Sequence, residues 1–550
     1  MSVKLPAINF KKLQGLLDWK LLLFLVLFLD VKLVVKIAAI IIIYLLQADF
    51  RFGFRLKDSR LPLFYPLIML LALTGALINA GFSVHNYWPA FLTGLTFWLL
   101  CLLAVHQIKL AVERNDTTVI HRTLLVFFAA NAAISLLNIV AIILKTGEMN
   151  PYTYQGEYQK YFINTGDYIK GLTFDTSTTN AVISSFGVIY FLVRKNGLMT
   201  LVCMATLLLT VSNTLNILLM VILALLFIFR STKEQKSLIS VCMFLLVLFM
   251  AKVSPQNNDY VVRSINNILH RKNKPIVPQY APIPITLRPD NTLNPEEKRE
   301  KAAQLYIDSV NHAQQAIIAK KQILQPFINS SGRILTPRAD IYSSPFQSLT
   351  TTPADEQHLV TFIGLHQREL PISGKPFHWT GVPGKLTATK QTVNFFETHP
   401  SKFIAGDGIG NFSSKLAFKT TGLNITGGYP AKEVYIDHDF MVNHLDLYLN
   451  YFSKRAGFHS LTNSPFSVYD QLIAEYGILG LLAFAVYYLW FFAKKAGKLT
   501  YGLPILLLLL PVLAIDYWFE QLSIIILFEL LLLLDIKEST AKTQLQYERR

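Results

Sequence analysis

The chain reads as an all-α polytopic membrane protein of about twelve transmembrane helices, with one large outer segment between helices 9 and 10. Three observations predict this. Hydrophobic residues make up 52% of the 550 positions and charged residues only 16%, against roughly 25% charged in soluble domains. The apolar residues are gathered into runs long enough to cross a bilayer. The basic residues behind the net charge of +16 fall between those runs. Together these exclude an ordinary cytosolic enzyme, a disordered scaffold and a disulfide-stapled secreted domain. Cys101, Cys203 and Cys242 all lie inside apolar runs, so neither a disulfide framework nor a thiolate metal site is expected.

The runs fall at 16–30, 32–47, 62–82, 89–108, 123–145, 174–193, 197–211, 214–229, 237–252, 468–492, 499–515 and 518–535. The first two are short and split at Asp30-Val31-Lys32, as a re-entrant pair would be. The stretch 197–229 is too long for one span, and Ser212-Asn213-Thr214 divides it into two helices. No small-residue cleavage site follows the first run, so no cleavable signal peptide is expected.

Loop charge sets the orientation, because cytoplasmic loops collect Lys and Arg. With the N-terminus inside, the inner loops carry Arg51, Arg55, Lys57 and Arg60, then Lys109, Arg114 and Arg122, then Arg194 and Lys195. Arg230, Lys233 and Lys236 follow, then Lys494, Lys495 and Lys498, and the tail ends in Arg549 and Arg550. The chain therefore divides into helices 1–9 (1–252), a large periplasmic segment (253–467), helices 10–12 (468–535) and a cytoplasmic tail (536–550), with both termini cytoplasmic.

Within the outer segment, residues 275–289 are proline-rich and should run extended. Asn294-Pro295-Glu296-Glu297 starts a helix that stops before Pro326. A second amphipathic helix carries Leu386, Val393 and Phe396 and ends at His399-Pro400. A glycine-rich turn spans Gly406–Phe412, a further helix runs from Phe440 to Phe452, and the chain returns to the membrane at Val468.

Candidate chemistry concentrates around that return. Glu475 sits one to two turns inside the helix, with Asp470 and Gln471 before it. A carboxylate at that depth faces a cavity or a partner, or else is a solvated acid at a helix start. His444, beside Asp439 and Asp446, is the leading general-base candidate, ahead of His438 and His459. Lys385, Lys390, Lys402, Lys415, Lys419, Lys454 and Arg455 form a cationic group suited to a phosphorylated lipid head group, or to plain contact with anionic lipid. The Gly408–Gly410 turn can offer N–H groups to an anion, but a lone GxG is a weak signal and a simple turn is the better reading. Asn213 and Asn216 form a polar knot that either joins helices or lines a cavity. No His or Cys spacing supports a metal, and no cofactor is expected.

Three segments in this order, LLLTVSNTLNILLMVI at 207–222, AGDGIGNFSSKLAF at 405–418 and SVYDQLIAEYGILGLL at 467–482, resemble the O-antigen ligase and O-antigen polymerase superfamily of bacterial inner-membrane proteins. The resemblance implies a GT-C-like, metal-independent glycosyltransferase of the inner (cytoplasmic) membrane that moves glycan, with inversion, from an undecaprenyl-pyrophosphate carrier. The acceptor is a growing glycan (O-antigen or exopolysaccharide polymerase) or lipid A-core in lipopolysaccharide synthesis (ligase). In this picture Lys385, Lys390 and Arg455 hold the pyrophosphate, His444 and Glu475 are catalytic, and Asn213, Asp470 and Gln471 line the cavity. Membrane lipid is a partner and nucleic acid is not. The chain departs from the family pattern at Asn213 and Lys385, where the family has Arg, and at Phe466, where it has His. The competing reading is a non-enzymatic flippase or exporter of lipid-linked saccharide, which needs ionisable residues along a continuous path through the bundle.

Overall fold

The computed structural model describes residues 15–52, 63–79, 81–154, 165–254, 384–423, 428–445, 447 and 464–548, with isolated pieces between 290 and 366. Within them the regular secondary structure is helical apart from a two-residue antiparallel pair, Phe327–Ile328 with Ile334–Leu335. Four helices are long and apolar enough to cross a membrane: Tyr87–Arg114, Thr117–Thr146, Lys233–Val253 and Val468–Ala493. Seven shorter apolar helices accompany them: Trp19–Phe28, Leu33–Gln47, Phe64–Ile78, Ser177–Val193, Gly197–Leu209, Asn213–Phe229 and Gly502–Val512. The run at 197–229 is two helices, separated at Thr210–Ser212 with Val211 in the left-handed region. The break at Asp30–Lys32 likewise yields two helices, Asp18 capping the first through the N–H groups of Lys20 and Leu21.

The bundle core is aromatic where the long helices cross. Phe64 packs against Trp98, Phe484, Tyr488 and Phe519, with ring centroids 5.5–5.7 Å apart. The Trp98 indole donates to the Tyr476 hydroxyl at 2.6 Å, which ties Tyr87–Arg114 to Val468–Ala493 with a satisfied buried donor. The polar start of Ser177–Val193 is a lock for the preceding loop. Asn131 donates to the Asn180 amide oxygen (2.8 Å), and Asn180 donates to Ser135 (3.0 Å) and to the Ile169 carbonyl (2.9 Å). Leu172 N–H then donates to Asn131 (2.9 Å).

The helix that starts at Val468 is not continuous, as its hydropathy alone suggests. Gly477 sits at φ 66°, ψ −169°, outside helical geometry. The carbonyls of Ala474 and Glu475 are thereby released, and they accept from Asp407 N–H (2.9 Å) and Gly408 N–H (3.0 Å). A broken helix inside a membrane bundle is tolerated when neighbouring backbone re-satisfies its freed groups, and the glycine turn does that here. The approach is close on both sides. A Cβ on Gly406 would lie 2.3 Å from the Glu475 carbonyl carbon, and one on Gly477 would lie 2.2 Å from the Ile404 oxygen.

Two helices of the segment 253–467 differ from the pattern read in the sequence. Gly384–Thr398 exists, but it buries Ala388, Thr392 and Phe395 while Leu386 and Val393 stay exposed. The small residues win the packed face because the helix lies close against the start of Val468–Ala483, where Asp470 faces Thr392. Of the helix expected over Phe440–Phe452, the described part is a short helix, His438–Asn443, capped by Asp437 and ending before His444; Leu447 is helical again, and 446 and 448–452 lie outside the described residues. The helix read from Asn294 and the proline-rich 275–289 lie mainly outside the described residues, with helical pieces at 297–299 and 301–303.

Candidate functional site

Glu475 is fully buried, and its carboxylate is enclosed by the glycine turn. It accepts from the N–H groups of Gly410 (2.9 Å), Ser413 (3.1 Å) and Ser414 (2.8 Å), and more distantly from Phe412 (3.4 Å). The turn is an anion-binding nest whose anion is a side chain of this chain, so Glu475 is neither a solvated helix-start acid nor open to a substrate. Gly406, Gly408 and Gly410 all have positive φ, which turns successive N–H groups inward.

Beside this nest, Lys402 closes a second ionic cluster. Its ammonium lies 2.5 Å from Asp407 and 2.6 Å from Asp439. The Tyr435 hydroxyl lies 3.1 Å from both Asp437 and Asn411. Burial works against the Lys402 charge, but Asp407 and Asp439 outweigh it through charge and hydrogen bonds and hold its pKa above the ordinary lysine value. Asp407, Asp437 and Asp439 bring their oxygens within 4.8 Å of one another, and the cation they surround is Lys402.

The other sequence-derived residues separate. The Lys385 ammonium donates to the carbonyls of Ser464 (2.9 Å) and Ile515 (3.1 Å) and to the Ser464 hydroxyl (3.2 Å). It ties the segment before Val468 to Ile515, and burial pushes its pKa down to about 8, against the pull of Asp516. Lys390 is exposed on the same helix. His444 is completely buried, its ring 4.9 Å from Phe412, 5.7 Å from Phe418 and 6.1 Å from Phe440. Asn213 opens the helix Asn213–Phe229. Arg455 and His459 lie outside the described residues.

The open space lies on the other side of the nest. A half-open cleft of about 710 Å³ is walled by Val31, Lys32, Leu33 and Lys36 from the first helix pair, by Pro89, Leu92, Thr93 and Phe97, and by Asp175. Lys415, Leu416, Lys419, Tyr429 and Glu433 close it from the outer segment, and Glu520 and Gln521 from the last helical hairpin. The Ser414 hydroxyl caps Lys415–Thr420 by accepting from Ala417 N–H (3.1 Å), so Lys415 and Lys419 fall one turn apart on one face. Neither ammonium has a hydrogen bond or ion pair with a described residue. Burial and the Lys415 charge together push the Lys419 pKa down. Lys36 in the wall is satisfied by the Phe28 carbonyl (2.7 Å) and Ser523 (3.2 Å).

Glu520 is shared between this cleft and a narrow recess of about 10 Å³ that reaches Gln471, Glu475 and Tyr476. The recess has room for little more than a water, so it connects the nest to the cleft without accepting substrate. Gln471 Nε2 donates to Glu520 Oε1 at 2.7 Å. Sequence reasoning passed over Glu520 and Lys36, although ionisable residues inside apolar runs are the signal for functional positions in membranes. Comparison with protein-family models, with curated proteins and with solved structures finds no match to this chain.

Proposed function

We propose that the chain is a glycosyltransferase of the bacterial inner membrane that moves glycan from an undecaprenyl-pyrophosphate carrier at the periplasmic face, as an O-antigen or exopolysaccharide polymerase or ligase. The observation that carries this reading is the pair Lys415 and Lys419, two ammonium groups with no partner among the described residues, lining one half-open cleft. Like charges that close together favour an anion between them, and a diphosphate supplies enough charge to bridge both. Leu33, Leu92, Phe97 and Leu416 in the same wall suit the apolar tail of such a donor. A diphosphate is a good leaving group, so transfer requires charge stabilisation and one base near the acceptor rather than a metal.

The reading takes the cleft to open outward, with about twelve spans, both termini cytoplasmic and residues 253–467 periplasmic. The cleft is built from helix ends and connections at 31–36, 89–97, 175, 415–433 and 520, which supports one common membrane face for all of them. Arg114 and Arg194 lie at the far ends of helices whose starts, at Pro89–Phe97 and beside Asp175, border the cleft, consistent with the positive-inside pattern.

The test is binding of undecaprenyl diphosphate to the purified chain in detergent. The Lys415→Ala, Lys419→Ala double variant should lose at least tenfold in affinity and give little or no polymer in cells. Unchanged binding and unchanged polymer would overturn the reading.

A further inference from the structure

We infer that Glu520 is the general base that takes the proton from the acceptor hydroxyl, an assignment that rests on the transfer reading above. Four carboxylates line the cleft and its recess, one histidine is packed beside the nest, and their surroundings differ. Glu475 has its oxygens committed to the N–H groups of the glycine turn. His444 is sealed among Phe412, Phe418 and Phe440. Asp175 is bound by the Thr179 hydroxyl at 2.9 Å, and Glu433 lies 4.0 Å from Lys432.

Glu520 combines three features, of which Glu433 shares the partial exposure. Glu520 reaches the cleft on an element of its own, the turn Trp518–Gln521, separate from the helix that carries Lys415 and Lys419. Its carboxylate is oriented from behind by the Gln471 amide (2.7 Å) and by the Leu416 N–H. It remains partly exposed, as a group that exchanges protons with an incoming hydroxyl must be. A base held by a second residue, in the same cleft as a leaving-group cation pair, is an arrangement an inverting displacement can use.

The step balances as follows. The acceptor oxygen forms a bond to the anomeric carbon of the donor sugar while its proton passes to the Glu520 carboxylate. The bond from that carbon to the diphosphate oxygen breaks, its electron pair leaves with the diphosphate, and Lys415 and Lys419 meet the new negative charge. The proton on Glu520 then returns to water. Gln471 is a positioning residue in this scheme.

The experiment compares Glu520→Gln, Glu520→Asp and Asp175→Asn in the full chain. One measurement is binding of undecaprenyl diphosphate in detergent. The other is polymer per inserted protein in cells whose only copy of the gene is the variant. Glu520→Gln should bind within about twofold of wild type yet lose on the order of 100-fold or more in polymer, with Glu520→Asp intermediate and Asp175→Asn much less affected. Wild-type polymer from Glu520→Gln overturns the assignment and leaves the donor site standing. Loss of binding in Glu520→Gln makes the residue part of donor binding and also overturns it. Normal binding and polymer in the Lys415, Lys419 double variant overturns the transfer reading, and the base with it.

Discussion

Glu475 and Gly410 are 65 residues apart in the chain and joined by a 2.9 Å hydrogen bond, the glycine N–H donating to the carboxylate. Around this bond the turn 406–414 and the broken helix at Gly477 satisfy each other's backbone. A residue type that reads as catalytic in the sequence therefore holds the 406–414 turn against the bundle.

Replacing Glu475 by Gln tests this role. The amide keeps one acceptor but turns an NH₂ group toward N–H donors, so at least one buried donor loses its partner. The expected cost is about 3 kcal/mol or more, seen as a lower unfolding temperature in detergent. Gly477→Ala should destabilise comparably, because it meets the Ile404 carbonyl at a positive φ. Wild-type stability in both variants would contradict the nest.

His444 should act through packing. His444→Ala removes a ring from between three phenylalanines and should cost about 2–4 kcal/mol, with transfer activity falling only in step with folded protein. His444→Phe refills most of the volume and should recover the part of the loss that the cavity causes. A variant that stays folded yet loses all activity would restore the histidine as a base.

Lys385 predicts a pH dependence. Its pKa falls from 10.5 to about 8 on folding, so between those values the unfolded chain holds a proton that the folded chain has released. Stability contributed at this site therefore rises with pH from about 8 to 10.5, and the cost of the buried charge is fully present below pH 8. Unfolding midpoints of wild type and Lys385→Met, compared at pH 7.5 and 9.5, should show wild type gaining relative to the variant. A constant gap would refute it.

Lys402→Met leaves Asp407, Asp437 and Asp439 facing one another without their cation. The variant should lose about 3–5 kcal/mol at neutral pH, and part of the loss should return as the pH falls and the carboxylates gain protons. Because an ammonium already fills this cluster, chelator treatment of the wild type should leave transfer intact. A chelator-sensitive activity restored by a divalent cation would contradict that.

The helices were legible because a membrane span is a local property: twenty neighbouring residues decide it, and Ser212-Asn213-Thr214 or Asp30-Val31-Lys32 breaks it within the same window. The importance of Glu475, Gln471 and the Gly406–Phe412 turn was legible too, since an acid at membrane depth and a cluster of glycines both stand out. Their mutual bond was not, because nothing local to either reports the other. The cleft was least legible of all. Lys36, Asp175, Lys419 and Glu520 come from four distant stretches, and only the folded bundle brings them together. The stripe chosen for 384–398 failed for a related reason: a close helix contact selects Ala388 and Thr392 for their small size, which hydropathy does not weigh.

The turn and the acid also constrain how such a sequence can drift. With its N–H groups committed to one carboxylate, the 406–414 turn has no use for its conformation if position 475 becomes neutral, and a neutral 475 would sit in a hole lined with donors. Descendants of this chain should therefore keep both or abandon both together, so paired loss and retention at these two sites across divergent copies is the historical trace this bond would leave.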